Sequence, residues 1–306
     1  MSSGVNIAVI GAGAMGSVYA GKFHDMDGAS VSLIAGGERR LRLREQGLTV
    51  NGRHFPLPVT DPGETVPPAD LVIVAVKHHH MEETIRDMAC VVGTDTTILS
   101  VMNGIESEEQ IGAVYGMDRV LYAVSVGIDA LRQDDQVVYT KQGTLFFGEA
   151  DNRVISEQVR KVCDLFDRAG ITYEVPDDMM RHLWWKFMIN VGINQVSAVL
   201  RAPFSVFHKS AHARELMEQS MREVMAIAHA KGINLYEEDI TNWYAFMSQL
   251  SPTGRTSMLQ DVEAKRKTEV EMFAGKIIEL GKRHTVPTPV NAVLFTAIKA
   301  IEDYID

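Results

Sequence analysis

Lys186, Asn190 and Asn194 stand four residues apart in the stretch HLWWKFMINVGINQVSAVL, residues 182–200, and Ser197 follows three later. On an α-helix positions four apart drift by only about 40°. The spacing therefore predicts one narrow polar stripe on a helix that is apolar on its other sides. Such a helix is usually buried, and buried polar groups need partners or they cost free energy. From these residues alone two readings stay open. The stripe is a seam of satisfied core amides with Lys186 snorkelling to solvent, or it is the wall of a substrate site. In the second case two amides donate and accept in fixed places, and an ammonium supplies charge and a proton.

A second constellation lies near the start. The apolar run Val5 to Ile10 leads into Gly11-Ala12-Gly13-Ala14-Met15-Gly16, and helix-compatible residues Ser17 to His24 follow. Strand, glycine turn and helix in this order, with G-x-G-x-x-G spacing, predict a dinucleotide site. The first glycine makes the turn, the second admits the pyrophosphate, and the third lets helix pack on strand, while the helix N-terminus offers free N–H groups. An NAD site would carry Asp or Glu at the end of the second strand, Ser30 to Ala35; Gly36-Gly37 stands there instead. Arg39 or Arg40 could hold a 2′-phosphate, which tilts the reading to NADP without excluding NAD. The competing reading has both arginines opening the solvated face of the next helix.

Further candidates sit at predicted strand ends, where ligands of doubly wound sheets bind. Lys77 ends the apolar strand LVIVAV, and Asn103 follows the strand Thr97 to Val101, although Asn103-Gly104 also suits a plain turn. Adjacent His78, His79 and His80 point in different directions and suggest no metal site. Leu48 to Val59 reads as a strand pair turning at Asn51-Gly52 and adding a sheet edge. Val120 to Ile128 reads as a closing strand, and Gln136 to Thr140 with Thr144 to Phe147 as a closing hairpin.

These pieces need two scaffolds. With 306 residues the chain exceeds one ordinary core. The expected architecture is α/β, an N-terminal Rossmann-type doubly wound sheet over residues 1–176 and a C-terminal all-helical domain over 177–306. In the second half, Ala213 to Lys231, Glu237 to Gln249, Thr256 to Gly281 and a last stretch from near Val290 read as helices. Ser257 and Glu269, twelve apart, would share a side of one helix. A net charge of -10 disfavours nucleic acid and anionic membrane as partners. The two cysteines have no metal or disulfide pattern. Neither a signal peptide nor a membrane span is expected, so a cytoplasmic protein acting on a small molecule is. Homodimerisation is plausible through apolar faces such as Trp243 to Met247.

GAGAMG, VAVK, MNG, WWKFMINVGIN, TSMLQDVEAKRKTEVE and VPTPVN, in this order, resemble the ketopantoate reductase (2-dehydropantoate 2-reductase) family over the whole chain. The resemblance implies NADPH-dependent reduction of a 2-oxo acid to pantoate, for pantothenate and coenzyme A, with substrate held between the two domains. It makes Lys186 the general acid and Asn190, Asn194 and Ser257 substrate ligands. Glu269 would be the second catalytic residue, near the reacting oxygen and the cofactor, keeping the lysine charged and oriented. Lys77 and Asn103 would flank the nicotinamide and its ribose, with Asn103 also toward substrate, and residues 11–16 with Arg39 would hold the rest of the cofactor. This chain departs from the family at Gly36, where Arg is frequent, and at Gly254 and Phe204, where some members carry asparagine. Those changes leave another branched 2-oxo acid as an alternative substrate, and a non-catalytic dinucleotide sensor as a remoter one.

Overall fold

The computed structural model describes residues 4–133, 136–248 and 250–305. The chain forms two compact units, Met1–His182 and Leu183–Asp306.

The first unit begins with β1 (Val5–Ile10), α1 (Ala14–His24), β2 (Ala29–Ile34) and α2 (Gly37–Gln46). It continues through β3 (Leu48–Val50), β4 (Arg53–Phe55), β5 (Val59–Thr60), β6 (Leu71–Val74), α3 (Met81–Asp87), β7 (Thr97–Ser100) and α4 (Ser107–Tyr115). It closes with β8 (Val120–Val126), β9 (Leu131–Gln133), β10 (Gln136–Val138), β11 (Thr144–Gly148), α5 (Glu157–Ala169) and β12 (Tyr173–Glu174). Eight strands make one sheet in the order β12-β11-β8-β7-β6-β1-β2-β5, parallel from β8 to β5. Their residues are apolar in near-continuous runs because both faces are covered. Ile7, Val9, Leu71 and Ile73 pack on one face with Phe23 and Phe166, and Ala8, Ile10, Val72 and Val74 on the other with Met88 and Ile111.

The register puts Ile34, Ile10, Val74 and Ser100 in one row, so the loops after β2, β1, β6 and β7 leave from the same edge. The loop after β1 is forced into shape by contact. Gly11 has φ +100°, and a Cβ there would lie 2.4 Å from the Ala75 carbonyl oxygen; one at Gly16 would lie 1.9 Å from the Gly11 oxygen.

Two sequence expectations need correction. The hairpin through Asn51 and Gly52, both at positive φ, does form, but β3 and β4 join β10 and β9 in a separate four-stranded sheet. The edge of the main sheet is β5. Gln136–Val138 consequently makes no hairpin with β11, which pairs with β8. Short strands with little alternation do not specify a partner, and the longer β8 offers β11 five paired residues.

The second unit is helical in its described residues. α6 (Met179–Leu200) starts in the first unit and is followed by α7 (Ser205–Lys209), α8 (Ala211–Ala230), α9 (Glu237–Met247), α10 (Ser257–Glu263), α11 (Lys276–His284) and α12 (Pro289–Ile305). α6 and α8 approach closely at Gly192, where a Cβ would meet Met221 Cε at 2.6 Å. Glu223 of α8 accepts the Val290 and Asn291 backbone N–H groups and the Asn291 amide, which caps the start of α12. Trp243 and Met247 are buried, so that segment is not the exposed apolar face expected for association. They turn inward on the i, i+4 face of α9. Gln249, expected as the end of that helix, lies outside the described residues.

Thr256 to Gly281 is not one helix. α10 ends in a Schellman turn: Lys265 adopts φ 54°, its N–H donates to Val262, and the Arg266 N–H donates to Asp261 at 2.8 Å. Arg266 also bonds the Asp261 side chain. The chain resumes as a π-helical turn, Glu271–Gly275, before α11. Between the two, Glu302 of α12 accepts the Thr268 N–H at 2.8 Å and its hydroxyl at 2.6 Å.

Gly11→Ala is expected to destabilise the first unit by several kcal/mol, since both φ and space exclude a side chain. Gly13→Ala, whose Cβ would meet nothing nearer than 4.0 Å, should change stability by less than about 1 kcal/mol. Urea denaturation of the two variants checks the contrast. Glu302→Ala, which leaves two buried donors of Thr268 unpaired, should cost about 1–3 kcal/mol in the same measurement.

Candidate functional site

At the carboxyl edge of the first unit's sheet, Gly13 caps α1 without a side chain, and the Ser17 N–H bonds its carbonyl. The N–H groups of Ala14, Met15 and Gly16 are first-turn donors without helical acceptors. The open space where a Gly13 Cβ would stand lets an anion approach them. These residues fit the pyrophosphate of a dinucleotide. Arg132 of β9, which the sequence did not single out, donates to the Ala12 carbonyl at 3.4 Å. No local pattern marks it, because β9 is only three residues long and the carbonyl it meets is 120 residues away in sequence.

Lys77, partly buried, follows β6, and Asn103, exposed, follows β7 beside Gly104 at φ +101°. Both therefore stand on the edge that carries the glycine loop. Beyond β2 the two arginines part. Arg39 is exposed. Arg40 pairs with Asp61 at 3.0 Å and with Glu64, both in the loop after β5.

In the second unit, α6 buries its polar stripe. Asn190 and Asn194 are each 5% exposed. Lys186 is partly exposed, yet loss of water around its ammonium lowers its pKa to about 8. Desolvation alone causes this shift, with no carboxylate among the described residues offsetting it. The stripe does not extend as one functional row. The Ser197 hydroxyl donates to the Ala202 carbonyl at 2.7 Å and serves the helix end. Gln195, outside the stripe, is fully buried and donates to Val191 and to Asn291.

Thr256 caps α10 by accepting the Leu259 N–H, which sets Ser257 at the first helical position. There the Ser257 hydroxyl donates to Asn194 Oδ1 at 3.5 Å. The structure thus brings Ser257 to the stripe. Glu269, 7% exposed, stands apart from α10 in the turn before the π-helical segment, so it and Ser257 do not share a helix face. Twelve-residue spacing suggests one face only while the helix continues, and the Schellman turn ends it.

Phe204 and Gly254, the two departures noted in the sequence, are in contact. The Phe204 N–H donates to the Gly254 carbonyl at 3.0 Å, and a Cβ on Gly254 would lie 2.9 Å from the Phe204 ring. A partly exposed aromatic ring therefore packs on Gly254, the residue three before Ser257. Among the described residues no group of three His, Cys, Asp or Glu could hold a metal, and no helix is long and apolar enough to cross a membrane.

Comparison with known proteins agrees with this division. Residues 7–152 match the family model "Ketopantoate reductase PanE/ApbA", and residues 178–302 match "Ketopantoate reductase PanE/ApbA C terminal". The 2-dehydropantoate 2-reductase of Pyrococcus horikoshii is 28% identical, over 97% of this chain and 98% of its own. That of Archaeoglobus fulgidus is 29% identical, over 97% of each. Among solved structures, a D-mandelate dehydrogenase with NADH and anilino(oxo)acetate superposes with a TM-score of 0.88 at 25% identity, covering 98% of this chain and 99% of its own. A PanE/ApbA family ketopantoate reductase from Ralstonia eutropha gives 0.85 at 24% identity, over 98% and 99%. With family models spanning both units in order, the chain belongs to the ketopantoate reductase family and is an oxidoreductase.

Proposed function

We propose that the protein reduces the C2 ketone of a 2-oxo acid, with ketopantoate as the substrate and pantoate, the precursor of pantothenate and coenzyme A, as the product. The observation that carries this reading is the stripe of partly exposed Lys186 and buried Asn190 and Asn194, with Ser257 hydrogen-bonded to Asn194. A bound reduced nicotinamide supplies the hydride. Lys186 is the general acid: its ammonium stabilises the negative charge growing on the ketone oxygen and then donates the proton. Asn190 and Asn194 orient the substrate, and Ser257, at the open N-terminus of α10, takes its carboxylate. Glu269 and Asn103 bear on both substrate and cofactor. The cofactor lies on residues 11–16 and Lys77, and Arg39 is the exposed cation on offer to the 2′-phosphate of NADPH.

The test is loss of reduced-nicotinamide absorbance with purified protein, NADPH and NADH each against ketopantoate and other 2-oxo acids. Lys186→Ala should lower kcat at least about 100-fold while leaving the cofactor Kd nearly unchanged; a near-normal kcat would remove Lys186 from the chemistry. Because the acid must be protonated, kcat should fall as pH rises through about 8. Lys186→Arg, which stays charged there, should lose that alkaline limb, whatever its residual rate.

A second reading is favoured by the Phe204–Gly254 contact. An aromatic ring packed on Gly254, three residues before Ser257, suits a 2-oxo acid with a bulky apolar group better than the hydroxymethyl of ketopantoate, and a similar solved structure holds anilino(oxo)acetate. On this reading Phe204→Ala lowers kcat/KM about tenfold or more for aromatic and branched 2-oxo acids and changes ketopantoate little. An equal effect on every substrate would confine Phe204 to packing.

A further inference from the structure

The end of β2 is where the adenosine ribose of a dinucleotide meets the protein, and a carboxylate or an arginine there separates NAD from NADP. In this chain the strand itself contributes neither, because Ala35, Gly36 and Gly37 follow it. The charged groups come from two neighbours. α2 brings Glu38, Arg39, Arg40 and Arg44. The loop after β5 brings Asp61 and Glu64. β5 runs parallel to β2 with Leu33 opposite Val59 and Ile34 opposite Thr60, and the Ala35 N–H bonds the Thr60 carbonyl at 3.1 Å. Asp61 therefore leaves the sheet level with Ala35, one residue before Gly36. The loop closes on that glycine, since a Cβ at Gly36 would lie 3.5 Å from Pro62 Cδ.

Arg40 is drawn to this loop. Its Nη1 donates to Asp61 at 3.0 Å and its Nη2 to Glu64, while its Nε is buried with no hydrogen-bond partner among the described residues. Glu64 is also 3.7 Å from Arg44, whose guanidinium donates to the Val59 carbonyl. Two arginines thus face two carboxylates, and this cluster carries no net positive charge for a phosphate dianion. A free ribose diol meets no such mismatch.

We infer that the Asp61–Arg40–Glu64 cluster is the cofactor-selectivity element of this protein: while its ion pairs are closed Arg40 is withheld from a 2′-phosphate, so NADH is accepted at least as well as NADPH. This rests on the dinucleotide reading of the glycine loop, but not on the identity of the 2-oxo acid. The two carboxylates act as a competitor for the guanidinium. Removing either frees one of its forks for a phosphate, which it binds in the same bidentate geometry.

Calorimetric titration of the whole protein with adenosine 2′,5′-bisphosphate, adenosine 5′-monophosphate, NADPH and NADH tests this without turnover. The wild type should bind the 2′-phosphorylated ligand no more than about threefold tighter than its partner. Glu64→Gln and Asp61→Asn should each tighten the 2′-phosphorylated ligands about tenfold, the scale of one charge-assisted contact at a partly exposed site. Their affinity for adenosine 5′-monophosphate should stay unchanged, which also reports an intact site. Adding Arg40→Met to Glu64→Gln should cancel the gain. A gain that survives Arg40→Met would come from lost negative charge alone and would overturn the assignment, as would a wild type already favouring NADPH more than tenfold. Failure of the wild type to bind any of the four ligands would instead remove the dinucleotide reading, and this inference with it.

Discussion

Burying the polar stripe of α6 is the constraint on which the helical unit depends. Two amides and a lysine on an otherwise apolar helix lose water on folding, and each must recover hydrogen bonds or be repaid by a ligand. The unit answers in two ways. Toward the C-terminal end of α6 the answers are internal: Ser197 closes on Ala202, and Gln195 joins Asn291, which Glu223 and the Ser220 carbonyl hold in turn. Toward Lys186 no carboxylate among the described residues compensates. The polar groups are therefore closed within the unit at one end of the helix, while toward the other Ser257 reaches across to Asn194.

The segment that carries Glu269 shows the same economy. Once the Schellman turn ends α10, the chain from Arg266 to Val270 has backbone donors without a helical ladder. Glu302 takes those of Thr268, and the Thr268 hydroxyl accepts the Val270 N–H at 3.3 Å. Lys299 bonds both Glu302 and Glu271, so α12 grips the segment on either side of Glu269. A buried carboxylate 33 residues away in sequence thus shapes the backbone at a candidate site residue, an influence that only tertiary contact reveals.

What the sequence disclosed follows from how local each determinant is. The glycine loop was legible because strand, turn and helix are contiguous, and the steric reasons for Gly11 and Gly16 act within that unit and against the next strand. The buried stripe was legible because a helix of 22 residues holds its periodicity. The helix break after α10 was not, because Lys265 is an ordinary helix former and takes positive φ only through hydrogen bonds that close around it. Strand pairing among β3, β9, β10 and β11 was illegible for a related reason: segments of three to five residues carry too little alternation to choose partners. The pairing of Arg40 needed the register of β5, and the contact between Phe204 and Gly254 needed the return of the chain after α6.

Two lysines of the helical unit show how one side-chain type is given opposite properties. Lys299 lies between Glu271 and Glu302, and those carboxylates raise its pKa, so it stays charged and serves as a strut. Lys186 is desolvated with no such partner among the described residues, and its pKa falls to about 8. For proton donation that difference has a direction. A pKa raised by ion pairing makes a poorer acid, because the partners stabilise the charged form in the ground state, whereas desolvation brings the ammonium nearer to working pH, where transfer is most effective. On the reading proposed for Lys186, the same lowered value would let the neutral amine accept a proton from a 2-hydroxy acid, so that one group would serve both directions of the reaction. A carboxylate salt-bridged to Lys186 would secure its charge but weaken it as an acid; among the described residues the lysine is desolvated and not paired with one.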